Sequence, residues 1–174
     1  MNRCIPLALL SSMLVACATT PAPLQGQFEA LTAKDAAGGS HSGARVRWGG
    51  TIITVQPAAT ETCFEVLAHA VDAQSRPRIR DASEGRFMAC RSGFYDPEVF
   101  SKGRELTIAG TLDGTRMGRI GQFDYAYPKV AAETIFLWPP RPLVIERRDY
   151  WPYDPFWGPA YGPHWRVGYW GPFW

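Results

Sequence analysis

The stretch Arg45-Val46-Arg47-Trp48-Gly49-Gly50-Thr51-Ile52-Ile53-Thr54-Val55 alternates polar and apolar side chains over most of its length. Neighbouring side chains of a strand point to opposite faces, so this alternation marks a half-buried β-strand. Its centre is Gly49-Gly50, and glycine weakens a strand unless a bulge or sharp bend requires it there. A long first strand bent at that point predicts a small closed barrel rather than a flat sheet.

The rest of the chain continues in short β-like runs. Thr62 to Ala70 makes a second strand, Gln74-Ser75-Arg76-Pro77 supplies turn chemistry, and Gly85 to Cys90 makes a third. Asp96-Pro97-Glu98-Val99-Phe100-Ser101-Lys102-Gly103 has a capping aspartate, a proline at the first helical position and a closing glycine. It predicts one helical turn with Val99 and Phe100 facing inward. Gly103 to Leu112 is a fourth strand, Asp113-Gly114 is a hairpin signal, and Ile120–Tyr127 and Val130–Trp138 follow, ended by Pro139-Pro140. The expected fold is mainly β. It is a five- to six-stranded antiparallel barrel with one short helical turn after the third strand, resembling the oligonucleotide/oligosaccharide-binding (OB) barrel.

Cys63 and Cys90 fall on strands two and three. Residues facing each other across a hairpin have numbers with a constant sum. A Cys63–Cys90 pair puts the hairpin centre between Arg76 and Pro77, inside the expected turn. The two are therefore expected to face each other and form a disulfide, given modest local adjustment of the Cβ spacing.

The N-terminus gives the compartment in which such a bond persists. Met1-Asn2-Arg3 carries one positive charge, and the apolar run from Ile5 to Val15 is much shorter than the ~20 residues that span a bilayer. A basic start, a brief apolar centre and small residues at its end describe a secretory leader. Leu14-Val15-Ala16-Cys17 resembles the lipobox of bacterial lipoproteins. That resemblance implies cleavage after Ala16, a diacylglyceryl group on the Cys17 sulfur and an acyl chain on its amine. Two or more chains hold a protein stably at a membrane where one does not. Ala18, in place of the aspartate that retains such proteins at the inner membrane, implies the outer membrane. The chain divides on this reading into a leader (1–16), lipidated Cys17 with a flexible tether (17–42), a barrel (43–139) and a tail (140–174).

Composition narrows the function. Arg3 is among the 18 Lys and Arg and leaves with the leader, so the mature chain nearly balances its 16 Asp and Glu. It has no basic field for nucleic acid. His41, His69 and His164 are too far apart for the short spacings of metal-ligand pairs. Gly114, Gly118 and Gly121 lack the Lys-Ser/Thr of a phosphate loop, and no serine or cysteine stands in a nucleophile elbow. Neither an enzyme nor a metal site is expected. The unusual feature is the C-terminus, where five of the seven tryptophans (Trp151, Trp157, Trp165, Trp170 and Trp174) follow Tyr150 among prolines and glycines. Three readings of this tail stand side by side: low complexity, an aromatic belt at the membrane–water interface, or rings that stack on sugars or dock a partner.

Six ordered stretches resemble the Slp family of outer-membrane lipoproteins: Val46–Ile52, Glu65-Val66-Leu67, Gly85-Arg86-Phe87, Gly93–Pro97, Gly103–Thr107 and Tyr125–Pro128. Leu137-Trp138-Pro139 fits as well. Cys63 and Cys90 lie outside these motifs, so their pairing rests on spacing alone. The resemblance implies a non-catalytic lipoprotein lipid-anchored at the outer membrane, on its periplasmic face, supporting the envelope in starvation, stationary phase or other stress. It implies no cofactor beyond the lipid on Cys17. The expected partners are outer-membrane lipid, the processing and sorting machinery, and peptidoglycan or lipopolysaccharide. The rival reading is a periplasmic glycan- or small-ligand-binding module, lined by Arg45, Arg47, Trp48, Arg86 and Tyr95, with Trp48 equally suited to the core.

Overall fold

A computed structural model describes residues 19–142. Five strands carry the fold: β1 (Arg45–Pro57), β2 (Glu61–His69), β3 (Arg86–Ser92), β4 (Glu105–Ile120) and β5 (Phe123–Leu137). They close in the order β1-β2-β3-β5-β4, with β4 returning to β1. All pairings are antiparallel except β3 with β5, which is parallel over Met88↔Lys129 to Cys90↔Ala131. This is the five-stranded arrangement of the OB barrel.

Alternation sorts the walls as the sequence indicates. Val46, Trp48, Ile52, Phe64, Val66, Phe87, Ala89, Leu106, Ile108 and Val130 fill the interior, so the barrel is a packed core and not a channel. Closure demands close approach at Gly50. A Cβ there would stand 2.1 Å from the Leu67 carbonyl oxygen. The expected irregularity is displaced from the glycine pair: the register of β1 against β2 slips between Ile52 and Thr54.

Two expectations change at the other end of the chain. Asp113-Gly114 is not a hairpin turn. β4 continues through it with one extra residue, because Leu112 pairs with Val130 and Thr115 with Pro128. Gly114 takes φ 76°, the left-handed conformation of a bulge glycine. The chain reverses instead between Ile120 and Phe123. The two final strands expected from sequence are therefore one strand, β5, and the distal parts of β4 and β5 form an arm beyond the barrel wall.

The segment read as a flexible tether is also folded from residue 19 onward. A 3-10 turn (Ala22–Leu24) buries Leu24 completely against Ala109 and Trp138. Helix α1 (Ala33–Ala37) is capped by Thr32, whose Oγ1 accepts from the Asp35 backbone N–H at 3.1 Å. Ala33 and Ala36 join the barrel core. Small side chains suggest a linker by composition, but here their size lets the backbone lie close against the core.

The connection between β3 and β4 makes a single turn. The Asp96 carbonyl accepts from the Phe100 N–H at 2.9 Å, and its Oδ1 accepts from the Glu98 N–H at 2.9 Å. Phe100 packs edge-on against Phe64 and Tyr95, with ring centroids 5.5 and 5.2 Å away. Val99, expected inside, is 50% exposed, since one turn presents a single position to the core.

Candidate functional site

Each pair along β2 and β3, from Glu61↔Ser92 to Leu67↔Arg86, keeps the constant sum that places Cys63 opposite Cys90. The two are joined as a disulfide, with Cα atoms 4.1 Å apart. The hairpin is not tight, however. Residues 70–85 form a long connection within which Val71 bridges Pro77. Glu61 stands beside the two cysteines in a cluster with metal-ligand spacing. Joined sulfurs carry no thiolate charge, so the cluster lacks the ligands a soft metal needs.

The residues expected to line a ligand face do not converge. Trp48 is 5% exposed, stacks edge-on against Phe87 at 5.0 Å, and donates its indole N–H to the Leu31 carbonyl at 2.6 Å. Arg47 lies outside the wall, donating to the Leu24 carbonyl at 2.8 Å with its guanidinium 5.0 Å from the Phe28 ring. Arg45 meets Glu133 at 2.8 Å on the surface. Tyr95 belongs to the aromatic cluster beneath the β3–β4 turn. Opposite parity separates Trp48 from its two arginine neighbours, and Arg86 and Tyr95 stand at opposite ends of β3.

Arg86 instead joins a polar cluster on the outer face of β2 and β3. Its Nη1 donates to Glu65 Oε1 at 2.9 Å, and the Tyr127 hydroxyl donates to the same oxygen at 3.1 Å. The Tyr125 hydroxyl accepts from the Arg86 backbone N–H at 2.9 Å. Tyr125 and Tyr127 pack edge-on at 4.8 Å, folding the arm back over this wall. Burial raises the Tyr127 phenol above its ordinary 10.0; the Glu65 charge and hydrogen bond raise it further, while Arg86 opposes them. Gln56, Glu65, Met88, Met117 and Tyr127 line a shallow cleft of about 170 Å³. A second cleft, of about 370 Å³, lies between the N-terminal segment and the 70–85 connection, at Glu29, Trp48, His69 and Glu84. His69 is 4% exposed, with Nδ1 3.3 Å from the Ala82 carbonyl.

A third cluster was missed in the sequence, where it read only as a turn. Asp72 Oδ1 accepts from the N–H groups of Gln74 and Arg76, both at 2.9 Å. Arg76 donates Nε to Glu105 at 2.6 Å and Nη2 to the Pro139 carbonyl at 2.8 Å, and lies 5.4 Å from the Trp138 ring. Thr107 Oγ1 donates to the Ser75 carbonyl at 2.6 Å and accepts the Trp138 indole N–H at 2.9 Å. The N-terminal segment reaches this turn, where Thr20 Oγ1 donates to the Ala73 carbonyl at 3.0 Å. These bonds fasten the 70–78 turn, the N-terminal segment and the end of β5 to one another and to the outside of β4. Cys17 and the tail tryptophans Trp151, Trp157, Trp165, Trp170 and Trp174 lie outside the described residues.

Among known sequences, the model of the outer membrane lipoprotein Slp family matches residues 14–168. The chain belongs to the Slp family. It is 30% identical over 167 residues to the outer membrane protein Slp of Escherichia coli K12, covering 93% of this chain and 85% of that one. It is also 30% identical over 162 residues to the uncharacterised lipoprotein YeaY of the same organism, covering 90% and 81%. An uncharacterised Haemophilus influenzae protein is 38% identical over 114 residues, covering 65% of this chain and 62% of its own. This Slp-family chain is accordingly an outer-membrane lipoprotein. Among solved structures, a small single-stranded DNA-binding protein of Streptomyces coelicolor superposes with a TM-score of 0.36 at 14% identity, over 55% of this chain and 94% of that one. A Plasmodium falciparum single-stranded DNA-binding protein gives 0.31 at 13%, over 58% and 97%. Superpositions at these scores bear on no question of binding.

Proposed function

We propose that this Slp-family protein is a non-catalytic lipoprotein, held by acyl chains on Cys17 to the periplasmic face of the outer membrane. There it supports envelope integrity in starvation, stationary phase or other stress. The observation that carries this reading is the consumption of the candidate ligand residues by structure: Trp48 is core, Tyr95 packs edge-on against Phe64 and Phe100, and Arg47 and Arg86 hold neighbouring elements. Its family membership supplies the location. Its partners on this reading are outer-membrane lipid and the processing and sorting machinery. The tail offers peptidoglycan or lipopolysaccharide its aromatic rings.

Two measurements test the proposal. Mass spectrometry of the mature N-terminus should find Cys17 acylated, and Cys17→Ser should leave the protein unprocessed or outside the outer membrane. A strain lacking the protein should take up a hydrophobic fluorescent probe more readily in stationary phase. The parent gene should restore the barrier, and the Cys17→Ser gene should not. Unchanged probe uptake in the deletion strain defeats the envelope role. Retention by purified peptidoglycan or lipopolysaccharide that is lost on deleting residues 140–174 would establish the tail as the contact. Equal retention of both forms would exclude it.

A further inference from the structure

We propose that the barrel wall formed by β1 and β4, with the 70–78 turn and residues 19–25 laid over it, is pressed directly against the lipid leaflet, while the β4–β5 arm faces away from it. The inference rests on acylation of Cys17. Thr20 is bonded to the Ala73 carbonyl, its own carbonyl accepts from Gln25 Nε2 at 2.9 Å, and Leu24 is wholly buried four residues later. From Thr20 back to Cys17 there are three peptide units, which extend at most about 11 Å. The headgroup layer on one side of a bilayer is itself about 5–7 Å thick. A cysteine whose acyl chains enter the hydrocarbon therefore leaves the domain only about 4–6 Å in which to stand off, and the docked turn lies at the headgroups.

The chemistry of that surface suits a lipid occupant. Ala22, Pro23, Ala73, Pro139 and Pro140 are exposed and uncharged. The acidic side chain of the turn, Asp72, spends Oδ1 on two backbone N–H groups. Arg78, at the end of the turn, is exposed, giving a cation to meet lipid phosphate. The strand order puts β3 across the barrel from the seam of β1 and β4. Met117 of the arm, 67% exposed, shares a cleft with Met88 of β3 and so marks the far wall.

The test uses the full acylated chain in phosphatidylethanolamine–phosphatidylglycerol vesicles containing headgroup-nitroxide lipid. A fluorophore is placed at Ala73→Cys or Met117→Cys, with the native disulfide unreduced. Quenching at position 73 should exceed that at position 117 by at least about threefold. Inserting 20 Gly/Ser residues between Ala18 and Thr19, with an r.m.s. span of roughly 25 Å, should bring the two toward equality while the protein still floats with the vesicles. Equal quenching in the parent, or stronger quenching at position 117, in protein that floats overturns the orientation alone. Failure to float, with an unacylated N-terminal mass, overturns the reading of Cys17 beneath it.

Discussion

Reducing the Cys63–Cys90 bond should destabilise the barrel chiefly by freeing the unfolded chain. The bond spans 27 residues of sequence. In the chain-entropy relation a loop of that length loses about 12 cal/mol/K on cross-linking, or about 3.5 kcal/mol at 25 °C. For the roughly 120 described residues the unfolding entropy is about 0.25 kcal/mol/K, so the midpoint should fall by about 14 °C. The assay is thermal and urea unfolding of non-acylated Cys17→Ser protein, oxidised and reduced, with Cys63→Ser/Cys90→Ser as a check that the reductant acts only there. Since the constraint lies in the denatured ensemble, reduction should also steepen the urea dependence by letting the unfolded chain expand. A loss under about 1 kcal/mol would refute the reasoning. A large loss with an unchanged urea slope would move the bond's contribution into the folded state.

Leu24→Ala should cost about 3 kcal/mol, the loss expected of a fully buried leucine; a change below about 0.5 kcal/mol in urea would mean that residues 19–31 are not part of the fold. Gly50→Ala should cost at least about 2 kcal/mol, because its Cβ meets the Leu67 backbone. Gly114→Ala has open space and suffers only its positive φ, costing about 1 kcal/mol, and the reverse order would contradict the packing described. Absorbance at 295 nm should show a late-ionising phenol among the seven tyrosines, absent in Tyr127→Phe and earlier in Glu65→Gln. The raised Tyr127 pKa means that its contribution to stability is complete below pH about 10 and is lost as pH rises through the folded value, so the alkaline fall in midpoint should change in Tyr127→Phe.

The β2–β3 pairing was legible because two cysteines and one turn over-determine an antiparallel register. The Arg86–Glu65 contact follows from the same register, since Glu65 faces Met88 and Arg86 stands diagonally across. Trp48 shares parity with Val46 and Ile52, which already places it inside. Asp113-Gly114 misled because a glycine at positive φ serves a turn and a bulge equally well. What decides is the pairing of Thr115–Ile120 with Phe123–Pro128, a property of both segments together. Residues 19–42 misled because prolines, glycines and serines with scattered alanines read as linker, although Ala33 and Ala36 are buried in the core. The contacts of Tyr127 with Glu65 and of Thr20 with Ala73 span 62 and 53 residues, beyond any local pattern.

The parallel junction of β3 with β5 rests on three residue pairs, the shortest seam in the barrel, and the last of them contains Cys90. Were this seam to part, two raw strand edges would appear, each able to recruit a neighbouring chain. The covalent tie holds β3 to β2 at that very residue, so the sheet cannot unzip from β3 while its sulfurs stay joined. Oxidising surroundings thus do more for this molecule than raise its melting point: they keep β3 fixed to β2, so that an opened β3–β5 seam has its own partner strand close by to close on again.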